Sequence, residues 1–316
     1  MASDARIGRR LKLRDLHTLQ AVVSAGSMAK AAADLAVTQS AISKAIADME
    51  RTLGVVLLDR NPRGVEPTAC GRILLERGAT MFDELTQGLR EIAFLADPAS
   101  GELRIGTTEP MAPIATAAID RLSRRYPRVT FHVLAADTTT LLRALRDRSL
   151  DVVVSRMTRP TAEPDLDAEV LFHDPLVVLG GPGVPWVRRG KLALADLKDQ
   201  RWILGPPDGF LMTFIIEAFR ANDLEVPPAT VITMSMPVRM SLLASGAFLT
   251  MLPRAVLADP AWPRAVKPLP IALPATERPI GLITLKRRSL SPIARLFIEH
   301  ARAAARNRAT PRPKTG

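Results

Sequence analysis

Along the first hundred positions apolar residues recur at helical spacing, and beyond them they gather into short extended runs. Leu13, Leu16, Leu19 and Val23 stripe a first helix, which Gly26 ends. Ser27 stands where an N-cap belongs, and Met28, Ala31, Ala32 and Leu35 form the apolar face of a short alanine-rich helix. The turn Ala36-Val37 leads to Thr38, a second N-cap. Ile42, Ile46, Met49 and Leu53 stripe a third helix that Gly54 closes. Helix, short helix, tight turn, helix is the plan of a helix-turn-helix unit. Two extended pieces around Asn61-Pro62-Arg63-Gly64 then read as a wing. Thr68 caps a long helix running to about Leu95, with apolar positions at Ile73, Leu74, Met81, Leu85, Leu89, Ile92 and Phe94. Such a stripe outruns a small domain and reads as a dimer seam or linker. Asp97-Pro98-Ala99-Ser100-Gly101 breaks it, and the domain boundary is placed there.

After Gly101 strands and helices alternate. Strands are expected at Leu103–Gly106, Val129–Leu134, Leu150–Val154, Trp202–Leu204, Val231–Met234, Phe248–Met251 and Ile280–Leu285. Helices are expected at Met111–Arg125, Thr138–Arg148, Met212–Ala221, Val238–Ser245 and Pro292–Ala305. This alternation predicts parallel sheets with right-handed crossovers, in two similar halves that face each other across a cleft.

The length of 316 residues accommodates two to three domains, and 47% hydrophobic content supplies a sizeable core. No stretch approaches the roughly 18 apolar residues that a membrane span needs, so no membrane partner is expected. The basic start, Met1 to Asp15, carries no apolar run of an export signal. The single cysteine, Cys70, suits a reducing compartment, and a cytoplasmic location is expected. The formal net charge of +11 favours polyanions, but residues 1–70 hold ten basic and seven acidic residues, whereas residues 286–316 hold nine and one. Much of the excess therefore sits in the C-terminal segment 286–316, which ends in a basic tail, residues 306–316, read as solvated chain. Charge alone carries no nucleic-acid claim.

The motif at residues 13–71 is specific. The run Leu13-Arg14-Asp15-Leu16, Ala29-Lys30-Ala31-Ala32, Thr38-Gln39-Ser40-Ala41-Ile42-Ser43, Leu53-Gly54, Leu57-Leu58-Asp59-Arg60 and Thr68 strongly resembles a LysR-type transcriptional regulator. Pro67 and Cys70 depart from the pattern, both at the wing-to-linker junction. Leu103-Arg104-Ile105-Gly106, Leu150-Asp151-Val152-Val153-Val154-Ser155 and Gly246-Ala247-Phe248-Leu249-Thr250-Met251-Leu252-Pro253 extend the likeness with weaker motifs. The resemblance implies an α/β fold class with an N-terminal all-α winged helix-turn-helix, a long linker helix, and a two-lobed effector domain like periplasmic binding proteins. Its domains fall at residues 11–70 (helix-turn-helix motif about 28–47), 71–97 and 99–305. Lobe I takes about 101–174 and 277–305, and lobe II about 175–276.

A helix reads base edges with its first turns, here Thr38, Gln39, Ser40, Ser43 and Lys44. Gln39 can pair with adenine edges, the serines with bases or phosphate, and Lys44 with guanine or phosphate. Arg60 and Arg63 on the wing would meet backbone or a narrow minor groove. One head reads too few bases for genomic specificity, so double-stranded DNA is expected to be bound in paired half-sites by a homodimer or homotetramer. RNA polymerase is a further expected partner.

In open α/β sheets ligands sit beyond the carboxyl ends of strands. That places Thr107, Thr108, Glu109, Thr138, Ser155 and Arg156 from one lobe, and Pro206, Asp208, Gly209, Phe210, Thr233, Met234 and Phe248 from the other, around a small-molecule effector. Arg156 could pair with a ligand carboxylate. Glu109 stands where it can cap its own helix start, and it would then repel an acidic ligand or bind hydroxyls and amines. Neither cofactor nor metal is expected: His17, His132, His173 and His300 are scattered, and Gly180-Gly181-Pro182-Gly183 lacks dinucleotide-loop spacing. These absences argue against an enzyme. The alternative is a cytoplasmic small-solute-binding protein without DNA function.

Overall fold

A computed structural model describes residues 11–61, 64–157, 163–182, 192–258, 262–274 and 276–306. The chain forms two compact units that divide between Leu89 and Arg90.

The first unit is built on α1 (Leu13–Ala25), α2 (Met28–Asp34) and α3 (Gln39–Leu53). Their apolar stripes meet in one core, where Leu19, Val22, Ala31, Ile42, Ile46 and Leu57 are fully buried. Each large side chain there contributes about 1.5–3 kcal/mol. Gly26 and Gly54 adopt left-handed conformations that close α1 and α3. Ser27 holds the N-cap of α2 in extended conformation, though its hydroxyl makes no capping bond. Ala36, with φ of 52°, makes the turn between α2 and α3. The wing is an antiparallel pair, β1 (Leu58–Asn61) and β2 (Gly64–Pro67). The Glu50 carboxylate of α3 accepts the N–H groups of Leu57 and Leu58, at 2.8 and 3.3 Å, and so fixes where the wing begins.

The long helix α4 spans Ala69–Ala96, about 42 Å at 1.5 Å per residue. Thr68 caps it, accepting the Gly71 N–H at 3.1 Å and donating to the Val56 carbonyl at 2.8 Å. A Cβ at Gly71 would lie 2.1 Å from the Leu57 carbonyl oxygen, so only glycine lets this helix start against the wing. Ile73, Met81, Leu85, Leu89, Ile92 and Leu95 form an exposed apolar stripe along α4.

The second unit carries two five-stranded sheets among its described residues. Lobe I holds β3 (Ser100–Thr107), a 3-10 turn (Glu109–Met111), α5 (Ala112–Arg125), β4 (Arg128–Ala135), α6 (Thr138–Arg146), β5 (Val152–Arg156), β6 (Leu166–Asp174), and, from the far end of the chain, β12 and α9. Lobe II holds β7 (Leu176–Gly180), β8 (Trp202–Leu204), α7 (Phe210–Arg220), β9 (Ala229–Ile232), α8 (Met236–Ala244), β10 (Leu249–Pro253) and β11 (Lys267–Pro268). The closing elements are β12 (Arg278–Leu285) and α9 (Pro292–Arg306). Strand order is β4-β3-β5-β12-β6 in lobe I and β11-β7-β10-β8-β9 in lobe II.

The sheets are mixed, which corrects the expectation of parallel sheets. β3 pairs parallel with β4 and β5, and β8 with β9 and β10, but β12 and β7 pair antiparallel with their neighbours. β7 and β12 are the strands that enter after the chain crosses between lobes. They arrive without a crossover helix, so nothing forces them parallel. β5 shows why the lobe I sheet is covered on both faces. Val152 and Val154 enter the core under α5 and α9, while Val153 enters the opposite core under α6. In lobe II Trp202 packs edge-on against Phe219 on one face, and Ile203 lies in the cluster on the other. No helix among the described residues is long and apolar enough to cross a membrane.

Candidate functional site

On α3 the apolar positions Ile42, Ile46 and Met49 turn inward, which leaves the other flank to solvent. Thr38, Gln39, Ser40 and Lys44 are exposed and Ser43 is half-buried. Thr38 is also structural: its hydroxyl accepts the Ala41 N–H at 3.2 Å and lies 3.0 Å from the Ser40 hydroxyl. The flank is thus a capped helix start that carries amide, hydroxyl and ammonium groups, the donor and acceptor set that meets base edges in a major groove. Arg60 lies on β1, and Arg63 falls outside the described residues.

In the second unit the chain crosses between lobes at Asp174–Leu176 and again before β12. Arg156, at the end of β5, ties the two crossings together. Its guanidinium donates to the Asp174 carbonyl at 2.8 Å and to the Thr276 carbonyl at 3.3 Å. Thr276 completes the tie by accepting the Leu176 N–H at 3.2 Å. The Asp174 carboxylate lies 3.7 Å from Arg156 and accepts the Ala255 N–H. Burial pushes Asp174 up to about 6, opposed by the Ala255 bond and Arg156. Burial pushes Arg156 down to about 10, opposed by Asp174.

Between the lobes lies a cavity of about 280 Å³. Lobe I lines it with Thr108, Glu109, Met111, Asp137, Thr138 and Arg156, and lobe II with Pro206, Phe210, Met212, Met234, Met236 and Arg239. Asp137 caps α6 by accepting the Thr140 N–H at 3.0 Å. Glu109 reaches across the cleft, where its Oε2 accepts the N–H of Met236, first residue of α8, at 2.6 Å. One turn further, the buried Arg239 donates to the carbonyls of Ile203 and Thr233. Burial pushes Arg239 down to about 10, and the charge of Glu109 acts against that shift.

Two family models match this chain. Residues 13–72 match "Bacterial regulatory helix-turn-helix protein, lysR family", and residues 96–306 match "LysR substrate binding domain". The chain belongs to the LysR family. Its fold and its division into a DNA-binding head and an effector-binding domain are those of a LysR-type transcriptional regulator. The HTH-type transcriptional regulator GbpR of Azospirillum brasilense is 30% identical over 94% of this chain and 87% of its own length. Full-length CbnR, a LysR family regulator solved in complex with its target DNA, is 25% identical, with a TM-score of 0.51 over 93% of this chain and all of that one. A full-length OxyR from Pseudomonas aeruginosa shares the fold at 22% identity, with a TM-score of 0.63 over 93% and 97% of the two chains.

In this LysR-family chain the cavity gathers Thr108, Glu109, Thr138, Arg156 and Pro206 from the residues the sequence nominates. Thr107, Ser155, Asp208, Thr233 and Phe248 stand outside the lining. Thr107 is buried and donates to the Thr108 carbonyl, and Ser155 is buried behind Thr138, 2.7 Å from its hydroxyl. Asp208 is exposed, Thr233 supports the turn into α8, and Phe248 packs into a lobe II core cluster. Arg156 lines the cavity and gives its two terminal nitrogens to the crossing strands, while its Nε is buried without a hydrogen-bond partner among the described residues. Glu109 caps α8 of the opposite lobe, not the helix that follows it. Gly209, Phe210 and Met234, at strand ends that the sequence also points to, line it as well, whereas sequence reasoning missed Asp137, Met212, Met236 and Arg239. Asp137 stood directly before the nominated Thr138, and an N-cap signal could have found it.

Proposed function

We propose that this protein binds operator DNA through α3 as a homodimer or homotetramer and changes its DNA complex when a small molecule occupies the cleft between lobes I and II. The observation that carries this reading is the capped start of α3 with Gln39, Ser40 and Lys44 exposed beside a fully packed core. Ser43 completes the base-facing set, and Arg60 and Arg63 supply contacts to backbone or to a narrow minor groove. The exposed apolar stripe of α4 supports pairing of two heads on two half-sites, since a soluble chain gains by burying such a stripe against a copy of itself. The functional segments are residues 11–70, 71–97 and 99–305. The protein acts in the cytoplasm, contacts RNA polymerase at the promoter, and performs no catalysis. Ligand action is a shift between assemblies that differ in affinity for the effector.

Fluorescence anisotropy of the full chain on duplex fragments from upstream of its own reading frame tests the DNA reading. Gln39→Ala and Ser43→Ala are each expected to weaken the tight site by about 1–3 kcal/mol, with binding to unrelated duplex unchanged. Lys44→Ala is expected to weaken both and to lower the salt slope by about one. Unchanged affinity in all three variants refutes the assignment of α3.

A further inference from the structure

The charges around the cleft are largely answered by the protein itself, although the Nε atoms of Arg156 and Arg239 are buried without a hydrogen-bond partner among the described residues. Arg156 is offset by Asp174 at the lobe crossing, and the start of α6 is capped by Asp137. The start of α8 and the buried Arg239 are both served by Glu109, which comes from the other lobe. Arginine side chains line the cavity, but both are buried and donate to backbone carbonyls. The charged groups that are less than fully buried there, Glu109 and Asp137, are both carboxylates. The rest of the wall is apolar, with Met111, Met212, Met234, Met236 and Phe210.

We infer that Glu109 is a built-in occupant of the cleft's anion position and thereby sets the ligand class: an apolar molecule whose head donates hydrogen bonds and carries no negative charge, such as a primary amide or an amine. The inference rests on the cleft reading above and names its ligand. A ligand carboxylate would meet Glu109 and Asp137 across an apolar, low-dielectric space, where like charges repel strongly. Displacing Glu109 would not relieve this, because the Met236 N–H would lose its acceptor and Arg239 its offsetting charge. A donating head, by contrast, meets acceptor groups that are already in place, and the methionines and Phe210 accommodate an apolar body.

Isothermal titration of the full chain with phenylacetamide, phenethylamine and phenylacetate tests it. The amide and the acid have nearly the same shape and differ in charge. The amide and the amine are expected to bind at least about tenfold more tightly than the acid, the size of one unfavourable charge contact. Glu109→Gln keeps an oxygen for the Met236 N–H and removes the charge, so the acid is expected to gain at least about fivefold while the amide moves by less than about threefold. Glu109→Asp, which keeps the charge, is expected to go on disfavouring the acid and serves as the measured variant if Glu109→Gln does not fold. Acid binding to the unaltered chain as tightly as amide, or an acid affinity indifferent to Glu109→Gln, overturns the inference while leaving the cleft reading intact. If no probe binds either the unaltered chain or the variants, the cleft reading itself fails, and this inference with it.

Discussion

The head and the cleft use polar side chains in opposite ways. On α3 the groups that face outward are largely uncommitted: Gln39 and Lys44 stand exposed, and the helix needs only Thr38 to cap it. In the cleft the charges are committed before any ligand arrives. Arg156 holds two chain crossings, Arg239 holds the turn into α8, and Glu109 spans the lobes. A surface that must meet an external polyanion keeps its donors free. A hollow shielded from water cannot leave charges unanswered, since an unpaired charge there costs several kcal/mol.

The sharpest break of this contrast is Arg156→Met, which keeps an unbranched apolar stem and removes the charged head. It is expected to cost about 3–5 kcal/mol in the second unit, because Asp174 is left buried and unpaired. Denaturant melts followed by the tryptophans, Trp186, Trp202 and Trp262, would read it, since all three lie beyond Leu89. A smaller effect follows from Asp174 itself. Its pKa is raised from 3.8 to about 6 in the folded chain, so its stabilising contribution is complete below about pH 3.8 and is lost as pH rises through about 6. The stability of the unaltered chain relative to Asp174→Asn is therefore expected to fall between pH 4 and 6, by on the order of 3 kcal/mol. Equal pH profiles would refute the burial of that charge. The smallest effects belong to the head. Thr38→Ala is expected to cost about 1 kcal/mol through the lost cap, whereas Gln39→Ala and Lys44→Ala stay within about 0.5 kcal/mol, in denaturant melts followed by far-ultraviolet circular dichroism, which reads the helices of the head. A large loss from Gln39→Ala would show that the outward flank is not free.

The head was legible residue by residue because its signals are local. Ser27, Gly26, Thr38, Gly54 and Thr68 all fall at the element ends where the sequence places them. The cleft was legible as a location, since strand ends such as Thr108 and Pro206 do line it. What the sequence did not show was commitment. Glu109 meets Met236 across 127 positions, and Arg156 meets Thr276 across 120. Nothing within a helical or strand period announces such partners. The antiparallel direction of β7 and β12, though not their presence, was missed for the same reason, because it follows from where the chain crosses between lobes.

The bond between Glu50 and the first amides of the wing has a mechanical meaning. A carboxylate near the end of α3 clamps the strand that follows, so displacing the hairpin from the rod would break two hydrogen bonds to a charged acceptor. If α3 and the wing meet groove and phosphates as proposed above, a mismatch in that spacing falls on the bending of the DNA rather than on the head.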